Sequence, residues 1–191
     1  GFSSMNYLKL YSIIFNVYKA NELFTFPLDS FDIISAYVID SKAYQSLPGN
    51  KPALCKAFSQ DAFLLDGRLY YNALSDPGRL HFTFMHELGH ILLGHQRSGT
   101  EEEQSANCFA SHMLAPRILI NQLGCKSPYD IQTTFGLSRQ ASTYAFESFC
   151  KWKELRQKYP ANSAEKRLLQ YYLLHNSLEL ASAFTDAGAL S

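Results

Sequence analysis

One pattern constrains this chain more than any other: His86-Glu87-Leu88-Gly89-His90, an HExxH run set inside a long apolar-periodic segment. Ser75-Asp76-Pro77 supplies an N-cap candidate followed by proline at the first helical position, and Gly94 supplies a stop. The segment between them therefore reads as a helix of about five turns. Leu80, Phe84, Leu88, Ile91 and Leu92 give that helix one buried stripe. On a helix, His86 and His90 project about 40° apart and four residues along, close enough to share one cation.

A catalytic zinc site needs a third protein ligand and one open position. In the HExxHxxGxxH arrangement that ligand would be at position 96, which is Gln96, and position 93 is Leu93 where glycine is required. His95 lies about 140° round a regular helix from His90, so it reads as a C-terminal histidine favoured by the helix dipole. The acidic run Thr100-Glu101-Glu102-Glu103 opens a second helix that ends at Pro116 and offers a carboxylate instead. Its inward face is marked by Ala106, Phe109, Ala110, Met113 and Leu114, which puts Glu101 on the opposite side. Glu102 and Glu103 both flank the face, and periodicity does not choose between them. Glu103 also fits a capping-box partner of Thr100.

RLYYN, FTFMHELGHILLGH and EEEQSANCFASHMLAP, taken together from about Asp66 to Pro116, resemble the ImmA/IrrE family of metallopeptidases. In that family HExxH is followed by ExxANxFA and a Leu- or Met-rich end before proline. The resemblance matches Glu103 to the metal-binding glutamate and Asn107 to the asparagine one turn later, a group suited to orienting a ligand histidine. Ser105 departs from the acidic residue often found there. The implied chemistry is zinc-dependent peptide hydrolysis: His86, His90 and Glu103 hold Zn2+, and Glu87 takes a proton from the attacking water and passes it to the leaving amine. The strand before the active-site helix, including Tyr70, Tyr71 and Asn72, is expected to bind substrate backbone by strand addition. Tyr70, Tyr71, His81, His112 and Tyr144 are the candidates for stabilising the oxyanion.

The rest of the chain reads as an α+β, zincin-like fold, mainly helical with a small antiparallel sheet. An amphipathic helix is expected from Asn6 to Leu23 and a short one from Asp29 to about Ala36. YVIDSKAYQSL reads as a strand running into a PGNKP loop, and Asp66-Gly67 as the turn of a hairpin. Beyond Pro116 the chain reads as helical, broken at Gly124, Gly136 and Pro160. Residues 1–116 are expected to form the peptidase core and 117–191 a helical subdomain. In the latter, Tyr129 to Ser142, with Gly136 in the turn and Ser138 as a cap, looks like a helix-turn-helix.

Charge argues against nucleic acid as the main partner. Lys plus Arg and Asp plus Glu are both 17, so bulk electrostatics offers a polyanion nothing. From Ser127 to Cys150 only Arg139 stands against Asp130 and Glu147, and the cations from Lys151 to Arg167 read as a solvated helix face. DNA binding is therefore disfavoured, though that basic stretch leaves it an opening. The four cysteines form no CxxC pair, which fits a reducing compartment, and no apolar run is long enough to span a membrane. The expectation is a cytoplasmic enzyme with a protein substrate, typically a repressor, and no organic cofactor. The rival classes are a DNA- or protein-binding regulator with a non-catalytic or sensory zinc site, and an antitoxin-cleaving toxin-antitoxin component.

Overall fold

The computed structural model describes residues 5–97 and 99–188. The chain opens with α1 (Tyr7–Ala20), N-capped by Asn6, whose side chain accepts from the Lys9 amide at 3.1 Å. Leu10, Tyr11, Ile14, Phe15, Val17 and Tyr18 form its buried face. A short α2 (Ser30–Ser35) starts at Asp29 and leads to β1 (Ser41–Ala43) and a 3-10 turn at Tyr44–Ser46. Then come α3 (Lys51–Phe58), β2 (Ala62–Leu65) and β3 (Arg68–Tyr71). The remainder is helical: α4 (Pro77–Leu92), α5 (Thr100–Leu114), α6 (Arg117–Gln122), α7 (Pro128–Phe135), α8 (Arg139–Lys158) and α9 (Ser163–Gly188).

The α+β class holds, with one difference in the sheet. β2 and β3 form the antiparallel hairpin, and both Asp66 (φ 50°) and Gly67 (φ 72°) adopt the positive φ that a tight two-residue turn requires. β1 pairs with β3 in parallel, so the three-stranded sheet is mixed and ordered β1-β3-β2. A parallel pair needs a crossover between its strands. That crossover contains α3, which forms where only a loop was expected. α3 leaves Leu54 and Phe58 60% and 76% exposed and buries none of its own side chains; it is eight residues long and opens on the PGNKP turn signal.

α4 begins as the sequence dictates, with Asp76 accepting from the Arg79 amide at 3.0 Å and Pro77 in the first turn. Packed along it is α5, and at Gly89 the two helices leave no room for a side chain. A Cβ there would stand 3.0 Å from the Phe109 ring and 3.2 Å from the Ala106 Cα. α5 differs from the capping-box expectation: Gly99, not Thr100, is its N-cap, Thr100 is already helical, and among the described residues no side chain caps that end.

α7 and α8 meet at Gly136, whose φ of 69° makes the turn, and Ser138 caps α8 by accepting from the Ala141 amide. This pair is docked on α4. A Cβ on Gly78 would lie 3.2 Å from the Ser138 nitrogen, and His81 bridges Ser30 Oγ at 2.8 Å and the Phe135 carbonyl at 3.0 Å. One buried apolar cluster runs from Leu10 through Leu88, Phe109 and Phe135 to Leu168, drawing on both sides of Pro116. At that junction the fully buried Arg117 donates to the Ser111 and Ala115 carbonyls and to the Ser111 and Ser148 hydroxyls. The C-terminal carbonyls of α5 thus offset a buried cation, as a helix C-terminus favours.

Candidate active site

α4 and α5 bring three side chains to one point. His86 Nε2 and His90 Nε2 lie 3.0 Å apart, and Glu103 reaches them with Oε2 at 3.2 Å and Oε1 at 3.4 Å respectively. Four ligands around zinc at nitrogen and oxygen distances near 2.0–2.1 Å leave about 3.3 Å between neighbouring ligand atoms. The cluster already has that spacing, so its donor set and dimensions fit a tetrahedral cation. The histidine side chains are 14% and 18% exposed, and the Glu103 side chain 43%, which leaves an approach from solvent.

Between the two glutamates that flank the inward face, geometry separates their positions. Glu103 points across to α4, whereas the Glu102 carboxylate lies against Gly99, at the start of its own helix. Asn107, one turn after Glu103, has Oδ1 2.8 Å from His86 Nδ1. His90 Nδ1 is 2.9 Å from His95 Nδ1, a contact the sequence reading missed because His95 lies beyond the regular helix.

Glu87 faces the same cleft as His86, Glu103 and Asn107. Burial pushes its carboxyl up to about 7, and the neighbouring Glu103 charge adds to the rise. A carboxyl in that range can hold or release a proton near neutral pH. Burial lowers the basicity of His90, and the adjacent His86 lowers it further, which favours the neutral imidazole that metals bind.

The cleft is about 510 Å³ in volume, and one side of it is the start of β2, through Ala62 and Phe63 with Asp61 just before them. This corrects the expectation for Tyr70, Tyr71 and Asn72. β3 is the central strand, with β1 and β2 already bonded to its two edges, so no edge remains there for a substrate. Tyr70 stacks on Phe63, and Tyr71 packs between Phe31 and Phe84. Asn72 is buried and consumed by the fold: it donates to the Gln60 carbonyl and accepts from Gln45 Nε2 and the Leu74 amide.

Past Thr83 and Asn107 the cleft opens into a larger cavity of about 680 Å³, whose far wall is Ser138, Gln140 and Tyr144 of the α7–α8 unit. Of the five oxyanion candidates, Tyr144 alone borders this space. His81 has both ring nitrogens engaged, and His112 is buried with Nδ1 2.7 Å from the Tyr11 hydroxyl.

Residues 52–147, just over half of the chain, match peptidase family M78, described as the IrrE N-terminal-like domain. No curated protein matches the chain, and no solved structure does. The matched span runs from α3 into α8 and takes in every residue of the cleft described above. A metallopeptidase family implies a metal, and His86, His90 and Glu103 could hold one. Among the described residues, no helix is long and apolar enough to cross a membrane.

Proposed function

Because the chain belongs to the IrrE N-terminal-like peptidase family, we propose that it is a zinc-dependent endopeptidase that cuts a regulatory protein, with a transcriptional repressor as the foremost substrate. The observation that carries the reading is the convergence of His86, His90 and Glu103 within 3.0–3.4 Å beside a cleft-facing Glu87. In it, the two histidines and Glu103 hold zinc, and Asn107 orients His86 by accepting from its Nδ1. Zinc, when bound, polarises the scissile carbonyl and makes water acidic near neutral pH.

Glu87 accepts the proton that the attacking water loses and delivers it to the leaving amine. Its burial keeps the carboxyl basic enough for the first step and acidic enough for the second. The outer edge of β2, alongside the cleft, pairs with no further strand among the described residues and suits an extended substrate main chain, which would bond beyond the Ala62 carbonyl that Ser59 Oγ already occupies. In this reading residues 1–116 carry the chemistry, and 117–191 supply the far wall of the cleft. The site is proposed to act on proteins, with no organic cofactor.

A DNA-binding regulator has the α7–α8 pair in its favour. Against it, the N-terminal turn of α8, the part that would enter a groove, abuts Gly78 and borders the cleft. The test is cleavage of repressors encoded beside the gene, read by mass spectrometry of the fragments, for the wild-type chain and Glu87→Gln. The reading expects one major cut by the zinc-loaded wild type and a loss of about 10²–10⁴-fold in Glu87→Gln with zinc retained. Equal cleavage by both would overturn it.

A further inference from the structure

We infer that His95 is a positioning residue for His90: it accepts a hydrogen bond from His90 Nδ1–H and so holds Nε2 toward the cation. The inference rests on the proposed zinc site and goes beyond it, because His95 belongs neither to the HExxH run nor to the α5 motif.

The geometry begins with how α4 stops. The helix ends at Leu92, and Gly94 adopts a left-handed φ of 70°. The Gly94 amide then donates to the Ile91 carbonyl at 3.2 Å and the His95 amide to the His90 carbonyl at 3.0 Å. These are the paired bonds of a Schellman C-cap. That motif folds the second residue after the cap back against the residue three from the helix end, usually in an apolar contact. Here those two positions are His95 and His90. Their rings sit 5.0 Å apart between centroids and 71° from coplanar, with Nδ1 facing Nδ1 at 2.9 Å.

Two nitrogens at that distance share one proton. If His90 offers Nε2 to a cation, its proton must be on Nδ1, and His95 Nδ1 must be the acceptor, with the His95 proton on its own Nε2. The arrangement parallels the other histidine, where Asn107 Oδ1 stands 2.8 Å from His86 Nδ1. Each ring thus has its outer nitrogen anchored by a separate stretch of chain, Asn107 on α5 and His95 on the loop. His95 does not enter the cleft; it lines a different cavity, with Tyr7, Glu101 and Gln104. Its effect on the site therefore passes through His90.

The test is zinc affinity of the apo chain, measured by competition with a chromophoric chelator, alongside cobalt(II) absorption spectra and unfolding of the apo forms. His95→Leu removes the acceptor and is expected to weaken zinc binding by about 10- to 100-fold. His95→Asn, whose Oδ1 can stand where Nδ1 stood, is expected to stay within about threefold of wild type and keep its cobalt spectrum. Both apo variants should unfold as the wild type does. If His95→Leu does not fold, His95→Ala replaces it, since it adds no bulk. Wild-type affinity in the variant without an acceptor, or equal loss in that variant and His95→Asn, would overturn the inference. His90→Ala is the separate control: if it binds zinc as the wild type does, the zinc site itself is wrong, whatever His95 does.

Discussion

Glu102 and Glu103 are adjacent and chemically identical, yet one carboxylate faces the histidine pair and the other curls back to the start of its own helix. Metal content should report that difference. Elemental analysis of purified protein is expected to give about one zinc per chain for the wild type and Glu102→Ala, and little for Glu103→Ala, because two histidines alone leave the ion short of protein ligands. A second residue-scale consequence concerns acid. His112 is almost fully buried against Tyr11, and burial, reinforced by the nearby Arg117 charge, holds its basicity well below that of a free histidine. Below about pH 6.5 the unfolded chain takes up a proton there that the folded chain refuses, so stability falls as pH falls. The stability gap between the wild type and His112→Asn is therefore expected to narrow by about 1 kcal/mol between pH 6.5 and 5.5. Denaturant melts at the two pH values read this directly, since groups common to both proteins cancel.

At the scale of elements, the decisive contact is α4 against α5 at Gly89. Alanine is the better helix former by about 1 kcal/mol, but its Cβ would meet the Ala106 backbone and the Phe109 ring. Gly89→Ala is thus expected to push α5 outward, separate Glu103 from the histidines and lower zinc affinity at least tenfold. Chelator competition tests it, with circular dichroism to show that the helices remain. The elements legible from sequence alone were those with strong local punctuation: α4 from Asp76-Pro77, the hairpin from Asp66-Gly67, and the α7–α8 turn from Gly136 and Ser138. α3 was not legible, because it is only eight residues long and opens on the Pro-Gly-Asn-Lys-Pro turn signal, which outweighs so short an apolar pattern. β1 was too short to reveal that it pairs in parallel. The Thr100–Glu103 pattern suggested a capping box because a sequence does not say that Glu103 is engaged elsewhere. For the same reason His95 looked like a dipole-favoured terminus: the αL turn at Gly94 that folds it back depends on backbone geometry, not on spacing.

Over the whole molecule, the core does not respect a boundary at Pro116. Ile131, Phe135, Ala145, Phe149 and Leu168 belong to the same buried cluster as Leu10, Leu88 and Phe109, and Arg117 ties α5 to α8. A chain truncated after residue 116 would expose the α5 and α1 faces that these residues cover, and is expected to lose cooperative thermal unfolding while the full chain melts in one transition. Calorimetry distinguishes the two. The same unity shapes the cleft, since its far wall comes from α8 and its near side from β2. β2 is only four residues long, and its outer edge borders the cleft and pairs with no further strand among the described residues. A protein docking there must lend a stretch of main chain that is not hydrogen-bonded to anything of its own. Well-folded proteins rarely do so, and a target would be cut only as often as its own segment comes loose. Vulnerability would then be written in the local opening equilibrium of the victim as much as in the shape of the enzyme.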